Sequence, residues 1–201
     1  LSQQRGDLTA AEPLYREALA IRRKLLGDNH ARVAQSLDNL ATVLSEKGDL
    51  QSAEPLMREA LASYRKLLGN DHPDVAITLQ NFAALLVKKD DPMAAELLLR
   101  ESLEIRRRAL PPNDARTADT TARLGNCLKL TGHYEEAESM LLEGFTALRT
   151  ALGQEHARTQ WARQALVNLY TAWGRPEEAA RYQALPPTSQ PLSQPKSPGS
   201  Q

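Results

Sequence analysis

An alanine returns every 42 residues along this chain, at Ala11, Ala53, Ala95, Ala137 and Ala179, and no other feature restricts the fold as much. A fixed period of about 20 to 50 residues marks an array whose units cannot bury an apolar face alone and stack on one another instead. Turn residues keep the same register. Gly6, Gly48, Gly132 and Gly174 share one position, with Asp90 in the remaining slot, and Gly27, Gly69 and Gly153 share a second, with Pro111 in theirs. Two turns per period mean two helices per unit. Apolar residues between the turns have helical spacing, as in Val33, Leu37, Leu40, Ala41 and Leu44, then Leu50, Ala53, Leu56, Ala60, Leu61 and Leu67. The pattern predicts helices over residues 7–26, 31–46, 50–67, 73–88, 92–109, 114–130, 134–151, 156–173 and 176–183. Pro73 suits a helix start because its missing N–H has no partner there. Pro13 and Pro55 require their helices either to start late or to absorb a proline in the first turns.

Paired helices approach closely only where side chains are small. The register supplies such residues at three places per unit, Ala41, Ala53 and Ala60 in one and Gly125, Ala137 and Gly144 in another. A small residue in the first helix and two in the second, seven apart, resembles the tetratricopeptide repeat pattern over residues 1–183. Segments such as AEPLYREALAIRRKLLGDNH and AEPLMREALASYRKLLGNDHPDVA resemble the extended repeats of kinesin light chains and of bacterial relatives. The expected fold is therefore all-α, a right-handed solenoid of antiparallel helix pairs. HEAT and armadillo arrays have units of similar length, but two helices and one small-residue triplet per unit fit without a third or kinked helix. Pro111 and Pro112 in place of the glycine turn, with Asp114 in place of the recurring histidine, predict an altered loop and an unbroken stack.

Three segments follow. Residues 1–26 read as a truncated first repeat, mainly its second helix, with residues 1–6 as the tail of a preceding helix; the chain starts at Leu1 and is expected to continue a longer one. Residues 27–183 form the array. Residues 184–201, rich in proline, serine and glutamine, are expected to be disordered. The helix at 7–26 lacks the cover its apolar face expects, which points to self-association there.

Composition excludes several classes. Lys plus Arg (25) equals Asp plus Glu (25), so no net field holds a polyanion and nucleic acid is not an expected partner. No stretch is apolar and long enough for a signal peptide or a membrane span, and the single Cys127 has no disulfide partner; the expected setting is the cytoplasm. His30, His72 and His156 recur in one register position, yet equivalent residues lie about 10 Å apart while zinc ligands sit about 2.3 Å from one ion, so capping is the expected role. Cys127 reads as a small buried hydrophobe. The runs Arg22, Arg23, Lys24 and Arg106, Arg107, Arg108 read as solvated faces. With no phosphate loop, no His-Glu-x-x-His and no nucleophile elbow, neither catalysis, a metal nor a cofactor is expected.

The resemblance implies a concave surface lined by the first helix of each unit and a peptide or partner domain bound there. Asn39 and Asn81 match the family asparagine that hydrogen-bonds a ligand backbone, and Asn126 and Asn168 match a second position one turn later; an amide both donates and accepts. Gln35, Asp38, Ile77, Gln80, Lys88, Arg123, Lys129, Trp161 and Gln164 are expected on the same face. The chaperone-binding type presents lysine where this chain has Asp38, Gln80, Ala122 and Gln164, so chaperone C-termini are not expected ligands. A protein-binding scaffold is the leading expectation. The alternative is the regulatory repeat segment of a larger bacterial signalling enzyme, such as a serine/threonine kinase, with catalysis outside these residues.

Overall fold

The computed structural model describes residues 2–184, with side chains described from Leu8 onward except Thr9. The described residues form nine helices and no strand: α1 (Ser2–Leu26), α2 (Ala31–Lys47), α3 (Leu50–Leu68), α4 (Pro73–Lys88), α5 (Pro92–Ala109), α6 (Ala115–Leu130), α7 (Tyr134–Leu152), α8 (Ala157–Ala172) and α9 (Pro176–Gln183). Each helix packs on its neighbours in the chain, and α2 also meets α4 as α6 meets α8. The first helices thus line up along one side of a solenoid of antiparallel pairs. Most boundaries lie within a residue or two of those predicted.

The turn inside each unit repeats to the atom. Gly48, Gly132 and Gly174 take positive φ, and the next residue donates back across the helix end: Asp49 to Leu44 O at 2.9 Å, His133 to Leu128 O at 3.0 Å and Arg175 to Tyr170 O at 2.8 Å. This is the Schellman closure, which satisfies carbonyls the helix end would leave unpaired. Asp90 makes the same turn at φ 62, with Asp91 donating to Leu86 O at 2.9 Å. An aspartate in that conformation carries strain that glycine does not.

The histidines cap. Nδ1 of His30, His72 and His156 accepts the N–H of Arg32, Asp74 and Arg158 at 3.1, 3.1 and 3.2 Å, and Asp114 does the same for Arg116 at 2.8 Å. Asp114 therefore replaces a histidine without changing the cap, and Asn113, at φ 65, supplies the preceding bend in the altered loop.

Small residues sit where helices touch. Ala41, Ala53, Ala60, Ala95 and Ala137 are fully buried. A methyl group on Gly144 would lie 2.7 Å from Ala122 N and 2.9 Å from Ala118 O, and one on Gly125 2.9 Å from Leu141 N. Backbone atoms cannot yield as a flexible side chain would, so α6 and α7 approach this closely only with glycine at both points.

Three expectations need correction or completion. The turn expected at Gly6 is absent, and α1 runs unbroken from Ser2. Glycine is permissive of helical as well as left-handed backbone, so its place in the register does not by itself force a turn. Pro13 and Pro55 lie inside α1 and α3, which absorb them rather than starting late. Arg106 is not on a solvated face. It is buried, its Nη1 donates to Arg116 O at 2.6 Å, and desolvation pulls its pKa down to about 10. Arg22, two units earlier in the same register, reaches Arg32 O at 3.2 Å and Ser36 Oγ at 2.7 Å. Both arginines donate to a carbonyl in the first turn of the next helix, whose second lone pair accepts a hydrogen bond beyond that of the helix, and so tie the end of one helix to the start of another. The tail expected to be disordered lies outside the described residues from 185 onward.

A second ladder joins alternate helices. Arg23 pairs with Glu59, Arg65 with Glu101 at 2.7 Å and Arg107 with Glu143 at 3.5 Å, each at a separation of 36 residues and each displaced from the last by one unit. Lys47–Glu12 and Lys89–Glu54 form a parallel series.

Candidate functional site

The first helices α2, α4, α6 and α8 bring the sequence-selected residues to one side of the stack, where two clefts adjoin. One, of about 210 Å³, is bounded by Thr42, Ser45, Glu46, Met57, Gln80, Asn81, Ala84, Lys88 and Arg123. The other, of about 230 Å³, is bounded by Gln80, Ala83, Ala84, Val87, Lys88, Leu99, Arg123, Asn126 and Trp161. Gln80, Ala84, Lys88 and Arg123 belong to both, so the clefts form one trough across the middle of the array.

Its polar side chains are held by one another across units. Asn81 Nδ2 donates to Asp38 Oδ2 at 3.0 Å; Gln80 Nε2 donates to Asp119 Oδ2 at 3.0 Å and its Oε1 accepts from Thr120 Oγ1 at 2.9 Å. Arg123 Nε donates to Asp119 Oδ2 at 2.9 Å, and its guanidinium lies over the Trp161 ring with 5.1 Å to the centroid. Lys88 Nζ donates to Ser45 O at 3.1 Å. These contacts fix the rotamers of Gln80, Lys88 and Arg123 before any ligand arrives. Arg123 still has both terminal nitrogens for a planar anion.

Asp38 departs from the sequence expectation. It is buried rather than presented to the groove, because α4 packs on α2 and Asn81 of α4 meets it there. Burial pushes its carboxyl up to about 6 against the pull of the Asn81 amide. Asp119 is buried likewise. Ile77 is exposed on α4 and Lys129 is half-buried with its pKa lowered by desolvation, neither on the walls of the two clefts. Gln35 and Asn39 are exposed on α2, whereas Gln164 donates to Asn168 at 3.0 Å on α8. Of the four asparagines, only Asn81 and Asn126 line the trough.

The clefts are also bordered by the buried Met57, Leu99 and Ala83 and by the exposed Ala84, none of which the first-helix rule names. Two of them come from second helices, α3 and α5, and a periodicity argument confined to first helices does not reach them. Cys127 is buried, donates to Pro92 O at 3.0 Å and has its thiol pushed up to about 11 by desolvation, which suits packing and not nucleophilic attack. Among the described residues no group of His, Cys, Asp and Glu has the arrangement of a metal site, and no helix is long and apolar enough to cross a membrane.

Tetratricopeptide repeat models match residues 1–66 and 47–108, and a further one matches 117–158. The chain belongs to the tetratricopeptide repeat family. Solved tetratricopeptide structures share its architecture. BtubC (BKLC) from P. vanneervenii is 25% identical with a TM-score of 0.75, covering 99% of this chain and 81% of that one. A kinesin light chain candidate from Podosopora anserina with nearly identical TPR-like repeats is 23% identical with a TM-score of 0.74, covering 90% and 86%. MamA is more distant, 17% identical with a TM-score of 0.55. Among curated proteins none matches the sequence. The units are thus tetratricopeptide repeats of the longer, kinesin-light-chain-like kind, a class of array that generally mediates protein–protein interaction.

Proposed function

We propose that this array is a non-catalytic scaffold, acting in the cytoplasm, that binds an acidic peptide with an apolar or aromatic side chain along the trough between α2 and α8. The observation that carries this reading is the shared wall of the two clefts. Lys88 and Arg123 present cations already fixed by Ser45, Asp119 and Trp161, beside the apolar surface of Ala84 and Val87. A carboxylate of the ligand meets the free edge of Arg123, a large apolar residue enters beside Val87 and Trp161, and Asn126 pairs with ligand backbone. Asn39, Asn168, Gln35, Ile77, Lys129 and Gln164 extend the contact along the same side.

The charge pairs remain solvent-accessible and contribute about 0.2 to 1 kcal/mol each, so the expected complex is of modest affinity and weakens with salt. Peptide-display selection on the chain should enrich acidic sequences containing a large apolar residue. Arg123→Glu and Lys88→Glu should each weaken their binding several-fold. Enriched peptides without acidic bias, or undiminished binding by both variants, would remove the trough as the working surface.

A further inference from the structure

A second surface stands apart from the trough. Met93 and Leu97, one turn apart on α5, and Leu130 at the end of α6 are 74%, 70% and 46% exposed and line one shallow depression of about 890 Å³ between successive intra-unit turns. The exposed carboxylates of Asp90 and Asp91 stand at its lip, with His133 on the opposite turn.

The repeat itself provides the control. At the position of Met93 the other units carry Gln51, Glu135 and Glu177; at that of Leu97, Pro55, Ser139 and Arg181; at that of Leu130, Glu46, Lys88 and Ala172. All nine are exposed, and seven of them are polar. The stack therefore does not need large apolar groups at these points, since units built the same way close without them. Three such departures meet in one place. Large exposed apolar groups clustered in this way mark interaction sites, while scattered ones need no explanation.

We infer that this depression is a docking site for an amphipathic helix of a partner protein with large apolar residues three or four apart and lysine or arginine flanking them. The apolar floor takes the ligand's ridge, as in helix-in-groove recognition. Charge complementarity selects the flank. Among the described residues Asp90 makes no ion pair, and Asp91 uses only Oδ1, to cap Ala94 N at 3.1 Å, so neither carboxylate at the depression's edge has a paired cation there. The site is opposite in charge preference to the trough, so one array engages an acidic segment on one face and a basic helix on its turn-side edge.

The test is a helical-peptide display selection on the full chain, repeated on a triple variant, Met93→Gln, Leu97→Ser and Leu130→Lys, whose new residues occupy the same register elsewhere. The parent should enrich basic amphipathic sequences that bind the triple variant at least tenfold more weakly and bind Arg123→Glu as tightly as the parent. Asp90→Asn with Asp91→Asn should weaken them several-fold. A measurement on the parent needs no variant to fold: the exposed Met93 thioether should be protected from peroxide oxidation by an enriched peptide, with Met140 unprotected. Peptides that lack basic residues, bind the triple variant equally, or leave Met93 oxidising at its free rate would overturn the proposal. Loss of binding in Arg123→Glu with Met93 still unprotected would place those peptides in the trough and overturn it equally.

Discussion

A buried acid is the residue on which the trough turns. Asp38 keeps its carboxyl under α4, where burial raises its pKa to about 6, above the usual value of about 3.9 for an aspartate. Between those values the folded chain binds more protons at this site than the unfolded chain does. Its contribution to stability is therefore fully present below about pH 4 and is lost as pH rises through 6, by an amount on the order of 2 to 3 kcal/mol. Asp38→Asn keeps an oxygen for the Asn81 amide and removes the charge. The variant should melt higher than the parent at pH 7, and the two melting curves should converge towards pH 4 in thermal unfolding followed by circular dichroism. A parent whose extra loss between pH 4 and 7 is absent would show that the carboxylate is solvated as well in the fold as outside it.

At the scale of the helix pair, the small-residue register is decisive. Ala95 is fully buried where α5 meets its neighbours, so Ala95→Trp forces side chains off their rotamers or pushes helices apart, at a cost of about 1 to 3 kcal/mol or more. Because each pair contacts only its neighbours, the lesion should broaden the denaturant transition as well as shift it. Urea unfolding that stays as sharp and as high as the parent's would deny the register any structural role.

The helices, turns and histidine caps were legible in the sequence because each reports on backbone conformation within a few residues. Partnerships across units were not. Asp38 and Asn81 both carry the pattern of ligand contacts, yet they meet each other, since pairing at a separation of 43 residues depends on how α4 packs on α2, which no single unit encodes. The Arg23, Arg65 and Arg107 ladder does have a signal in the sequence, since Glu59, Glu101 and Glu143 recur in the same period. Arg106 departs from expectation for a related reason: the carbonyl that accepts its hydrogen bond belongs to the next helix, ten residues on.

At the scale of the whole molecule, α1 carries a second apolar face. Leu14, Ile21 and Leu25 are 66%, 49% and 74% exposed on it, an apolar stripe of the kind that draws chains together. The chain should show concentration-dependent association in sedimentation equilibrium, and Leu14→Gln with Leu25→Glu should return it to monomer. Monomeric behaviour of the parent at high concentration would end that reading.

The Arg–Glu ladder has a further consequence, for inheritance. Every rung joins a basic residue to an acidic one 36 positions on, and both belong to a pattern that repeats every 42. A duplication of 42 residues, begun anywhere in the array, carries a donor for the unit after it and an acceptor for the unit before it. Unequal recombination within the gene would therefore lengthen or shorten the protein without leaving a charge stranded at the seam. Reach along a partner, and not the quality of any interface, is the property free to vary.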